Sequence, residues 1–193
     1  MKFISIRGLT MSALFAALLV VFSFVRIQIG FSPVPITLQA LAVMLAGAFL
    51  GPLYGCISML LVVILTALGL PLLGGSGGMA VLLGKTGGFV WMWPVSALLI
   101  GWALQRVKGI GATAYIVTFL AAELFGSLLV YVSGVPWLAH VAQIPFAKAM
   151  ALGCYPFLIG DAVKAVVATL VAVPIRQVYT SQRLSGDSQV AKL

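Results

Sequence analysis

Apolar runs of bilayer-crossing length follow one another along this chain: Leu9–Val25, Ile36–Leu50, Leu53–Leu70, Phe89–Leu104, Gly111–Val132 and Cys154–Pro174. A membrane-spanning helix needs about 20 predominantly apolar residues, so the pattern excludes a water-soluble domain. Composition agrees, at 63% apolar and 7% charged, against about 45–50% and about 25% in soluble domains. Six crossings use about 120 residues, which fits a single polytopic membrane domain over residues 1–193. The strict alternation of a transmembrane barrel is absent. The expected fold is an all-α integral membrane protein with six transmembrane helices.

The last run carries the two residues that least belong in hydrocarbon, Asp161 and Lys164. Three apart in a helix, they share a face with Cβ atoms roughly 5–6 Å apart. Charged groups within a membrane face a protein interior or a cavity and need partners. Two roles fit: a polar ligand site, or an ion pair that pins one helix to its neighbours. The second is harder to motivate, because desolvation offsets most of the Coulomb gain of a buried pair.

Breakers divide the rest. Lys2 and Arg7 precede the first run like the charged region of a signal peptide, but Arg26-Ile27-Gln28-Ile29 follows where a small-x-small cleavage site would stand. A retained first helix is expected. Its Ala13 and Ala17 form a small-xxx-small pair that permits close helix approach, within the protein or with a partner. Gly30–Pro35 disfavours helix, and Gly51-Pro52 marks a tight turn. Pro71–Gly88 is rich in glycine and should be a loop or a re-entrant segment buried in protein. Gly84-Lys85-Thr86 ends like a phosphate loop, yet Met79 stands where the first glycine should be. No ATP-binding motif is present, so the chain is not expected to hydrolyse ATP itself. Gly134-Val135-Pro136-Trp137 opens a further loop that is expected to run to Gly153.

Orientation follows from Lys and Arg. Lys2, Arg7, Arg106, Lys108, Arg176, Arg183 and Lys192 fall on one side, and Arg26, Lys85 and Lys148 on the other. The richer side is cytoplasmic. This places the N-terminus (about 1–8) and a polar, disordered tail (about 176–193) in the cytoplasm. The Pro-rich, Gly-rich and Pro-Trp loops then face outward, around the mouth beneath which Asp161 lies. The net charge of +8 is spread singly over helix ends, which points to membrane orientation and not to nucleic acid.

Other polar residues admit two readings each. Gln39 lines the same cavity or glues helices together. Glu123 sits mid-span as a neutral acid, a paired group or a proton relay. His140 stands alone at a loop and reads as a surface residue. Lys85 meets an anionic group or snorkels to the interface. Trp91 and Trp93 read as interface anchors. Cys56 and Cys154 read as small apolar residues, without the spacing of a disulfide framework or metal site.

Four segments together resemble a known family. They are Pro33-Val-Pro-Ile-Thr-Leu-Gln39, the stretch Gly74–Gly88 ending Thr86-Gly87-Gly88, Gly134-Val-Pro-Trp137, and Pro156-Phe-Leu-Ile-Gly-Asp-Ala-Val-Lys164. In order and spacing they are similar to the BioY proteins, the biotin-specific substrate-capture (S) components of energy-coupling-factor vitamin transporters. The resemblance implies a six-helix protein of the prokaryotic cell membrane. It would bind biotin at the extracellular side and deliver it with a transmembrane coupling subunit and ATPase subunits. Biotin would be cargo and not a prosthetic group; no cofactor, metal or catalytic residue is implied. The family's Gly-Asp-x-x-Lys element falls on Asp161 and Lys164, and its glycine stretch brings in Gly78, Lys85 and Thr86. Ala13 and Ala17 fall where S-components meet the coupling subunit. One departure stands out: Lys85 replaces the proline that the family pattern carries between Gly84 and Thr86.

The chemistry is compatible with that implication. Biotin offers ureido N–H donors, a ureido carbonyl, an apolar body and a distant carboxylate. Asp161 and Lys164 suit the ureido end as charge-assisted partners in a low-dielectric site. The carboxylate is left to Lys85, glycine-loop N–H groups or water. The competing readings are an S-component for another vitamin, and an intramembrane enzyme using Asp161 and Lys164 as acid and base with Glu123 or His140 assisting. Against the enzyme stands the lack of nucleophile–base or metal-ligand spacing.

Overall fold

The structure, a computed structural model, describes residues 5–107, 109–181 and 184. Lys2, Lys108, Arg183, Lys192 and nearly all of the tail after Ser181 lie outside these. Helix α1 (Ile6–Phe24) leads through a short antiparallel pair, β1 (Arg26–Ile27) and β2 (Ile36–Thr37), into α2 (Gln39–Ala67). A glycine-rich segment holding the single turn α3 (Met79–Leu82) precedes α4 (Gly87–Leu104). Then α5 (Ala112–Glu123), a π stretch (Leu124–Leu128) and α6 (Leu129–Ala142) run on without a break. Helix α7 (Phe146–Gly153) and the long α8 (Leu158–Val178) follow. Among the described residues, five helical stretches are long and apolar enough to cross a membrane: α1, α2, α4, α5–α6 and α8. Outward-facing apolar side chains such as Leu14, Val21, Ile64, Val132, Val163 and Leu170 are exposed, as befits helices solvated by lipid.

Helix α2 is two legs and not one rod. Gly51 adopts φ 75°, a left-handed conformation that glycine enters without steric cost. Pro52 follows, preset for the first position of a new helix. A Cβ on Gly55 would come within 3.1 Å of the Ala46 carbonyl, whereas a straight helix would separate those residues by roughly 13 Å along its axis. The legs therefore lie side by side, with the turn packed under Gly101 of α4.

The ends of the bundle are well defined. At one end Tyr54 contacts Ser5 and Gly8, Ser181 lies beside Gly51, and Arg176 Nη2 donates to Leu104 O (2.7 Å). At the other end Ser23 Oγ binds Leu72 O (2.9 Å), Ser32 Oγ donates to Leu152 O (2.6 Å), and Trp137 Nε1 donates to Gly84 O (2.8 Å). Between them the core rests on small residues. Ala121 and Ala122 of α5 pack with Ala165, Ala168 and Ala172 of α8.

Three expectations need correction. Gly134–Trp137 does not open a loop, because α6 runs through it to Ala142 with Pro136 inside. Gly134 is where the Phe89 ring closes on the α6 backbone, and a side chain there would strike it. The following segment is also helical, as α7. Arg176 is not yet tail but the last turn of α8, where its charge suits the negative end of the helix. Trp93 is not an interface anchor; it is buried in the core, whereas Trp91 is exposed.

Candidate functional site

A cavity of about 420 Å³ opens at the end where the glycine-rich segment, the β1–β2 turn and α7 gather. That size falls within the range of small-molecule sites. Its walls come from the end of α1 (Ser23), both short strands, the start of α2, the glycine segment, α4, α6 and the start of α8.

Asp161 and Lys164 both line it, and both are buried. The start of α8 explains their placement. Asp161 stands in the first turn, where the positive end of the helix favours a carboxylate. One turn on, Lys164 reaches back so that Nζ sits 2.6 Å from Asp161 Oδ1. The second carboxylate oxygen accepts the hydroxyl proton of Tyr131 from α6. Tyr131 also lines the cavity, and its ring meets Phe89 edge-on at 6.5 Å and 81°. The three polar groups thus form one fixed cluster in an apolar wall. A carboxylate retains lone pairs beyond two bonds, and an ammonium has three donors, so the cluster can still accept and donate toward a ligand.

Gln39, Lys85 and Thr86 line the same space. Gln39 Oε1 accepts from Thr37 Oγ1 (2.9 Å), a bond that leaves the amide N–H donors unused. Lys85 is exposed and Thr86 half-buried, just before α4. Gly78 is not part of the wall. At φ 83° its N–H donates to Thr66 O (2.7 Å), so it turns the chain into α3 and ties it to α2. Glu123 and His140 do not line the cavity either; His140 lies exposed on α6. Ala13 and Ala17 are exposed on α1, remote from the cavity wall, while Ala16 is buried between them.

Two wall residues carry chemistry that sequence reasoning did not assign to a site. Tyr131 had a usable signal, since a tyrosine inside an apolar span must find a partner for its hydroxyl. Arg26 was counted only for orientation, yet it lines the cavity from β1.

Known proteins share this chain's sequence pattern and fold. The model of the BioY family matches residues 1–181. The Biotin transporter BioY of Rhizobium etli is 43% identical over 171 residues, covering 86% of this chain and 91% of the relative. The Probable biotin transporter BioY of Pyrococcus horikoshii is 40% identical, covering 94% and 98%. Among solved structures, the S-component for biotin from an ECF-type ABC transporter superposes with a TM-score of 0.82 at 35% identity, covering 89% of this chain and 92% of that one. The chain belongs to the BioY family.

Proposed function

We propose that this chain captures biotin for uptake across the cell membrane. It acts as the S-component of an energy-coupling-factor transporter, together with a transmembrane coupling subunit and ATPase subunits. The observation that carries the reading is the buried Asp161–Lys164–Tyr131 cluster facing a cavity large enough for a vitamin. It occurs on a fold shared with a biotin S-component. The cluster takes the ureido ring, and the apolar body lies against Phe89 and Trp93, which line the same wall.

With the two legs of α2 counted separately, the chain crosses the bilayer six times. The end holding Ser5, Gly51 and Ser181 faces the cytoplasm and the cavity opens outward. Arg7, Arg106 and Arg176 gather at the first end, and the positive-inside preference supports that direction. The exposed Ala13 and Ala17 offer a shallow surface on α1 for the coupling subunit.

Equilibrating purified protein with labelled biotin and recovering the ligand tests the reading. Saturable binding with biotin returned unaltered is expected. Altered biotin would mean an intramembrane enzyme, and no binding would mean a different vitamin.

A further inference from the structure

Arg26, Lys85, Lys164 and Asp161 are the charged side chains of the cavity wall. Asp161 and Lys164 are buried and neutralise each other. Arg26 and Lys85 are exposed, and no carboxylate pairs with either among the described residues. The cavity therefore carries an uncompensated positive rim above a neutral polar cluster, which favours a ligand whose outer end is an anion.

The two rim cations differ in how they are held. Arg26 has its backbone fixed in the β1–β2 pair opposite Thr37. Its Nη1 lies 2.9 Å from where a Cβ on Gly74 would stand, so the guanidinium rests against a bare Cα. Gly74 is held there in turn, because its N–H donates to Ser23 Oγ (2.9 Å) at the end of α1. Lys85 sits on an exposed turn with no such support. The glycine-segment amides are poor competitors for an anion. Those of Gly74, Ser76 and Gly78 already donate to Ser23 Oγ, Leu73 O and Thr66 O.

We infer that Arg26, seated on Gly74, is the specificity residue for the anionic end of the substrate. Its planar fork holds a carboxylate through two parallel N–H···O bonds, while Lys85 adds long-range attraction. This deepens the biotin reading and rests on it. The site would then distinguish biotin from biotinamide, which keeps the ureido ring and apolar body but ends in a neutral amide.

Binding of both ligands to the wild type, Arg26→Gln, Arg26→Lys and Asp161→Asn, measured by calorimetry in lipid nanodiscs, tests the assignment. Wild type should prefer biotin by about tenfold or more, the scale of one charge-assisted contact. Arg26→Gln should lose that preference while binding biotinamide within about twofold of wild type, which also shows that the variant is folded. Arg26→Lys, which keeps the charge but not the fork, should fall between. Asp161→Asn should weaken both ligands alike. Equal weakening of both ligands by Arg26→Gln, or an unchanged preference, overturns the assignment alone. A wild type that binds neither ligand overturns the biotin reading and this inference together.

Discussion

Tyr131 on α6 donates its hydroxyl proton to the Asp161 carboxylate on α8, across 30 positions of sequence. The bond joins α6 to α8 beside the cavity and, with Lys164 on the other oxygen, fixes the orientation of the carboxylate. Removing the hydroxyl alone isolates its contribution. Tyr131→Phe should weaken biotin binding by about tenfold or more, the worth of a hydrogen bond to a charged group. The Phe89 contact should persist, so thermal unfolding in detergent should shift little. Unchanged affinity would show that the bond merely packs α6 on α8.

Asp161 and Lys164 neutralise each other, so single removals leave a buried charge without its partner. Asp161→Asn and Lys164→Ala should each cost tens-fold or more in biotin affinity, on the order of a lost charged hydrogen bond. The double variant should cost much less than the product of the two, since contacting residues couple. A double-mutant cycle by equilibrium binding reads this directly. Simple additivity would mean that the two act on the ligand independently.

The seat of Arg26 can be disturbed without touching its charge. Gly74 has φ 61° and an occupied space above its Cα, so Gly74→Ala strains the turn and lifts the guanidinium. Biotin affinity should drop severalfold while biotinamide is spared. Parallel titrations of the two ligands check this, and an equal loss of both would assign the effect to general loosening of the glycine segment.

Reversal of α2 depends on Gly51. Gly51→Ala forces a side chain into left-handed backbone and toward Ser181 at 3.4 Å. A cost of about 1–3 kcal/mol is expected for such a residue. It should appear as a lower unfolding temperature in detergent, and bound biotin should restore part of it by mass action. An unshifted transition would show that the turn has another solution.

Local signals carried much of this fold. Gly51-Pro52 marks a reversal by itself, because one residue supplies the backbone angle and the next starts a helix. The spacing of Asp161 and Lys164 likewise fixes their common face before any neighbour is known. Long-range relations were harder to read. Gly134 and Pro136 look like breakers, but the Phe89 ring requires the glycine and the helix loses only one donor at the proline. Hydropathy does not separate a tyrosine that anchors at an interface from one that reaches a carboxylate on another helix. The role of Arg26 depends on Gly74, which is far along the chain. Gly78 falls in the glycine stretch that the resemblance brings to the site, but its amide is committed to Thr66.

The π stretch at Leu124–Leu128 lies just before Tyr131, and its Gly126 reaches the cavity wall. Such a stretch amounts to one residue inserted into an α-helix. Winding the same residues as plain α-helix would rotate everything above the stretch by about 100°. Tyr131 would then swing away from Asp161 while α5 kept its packing below. The wide turn takes up the spare residue without rotating the upper half of this span away from its neighbour, so the winding there is as tightly constrained as the chemistry.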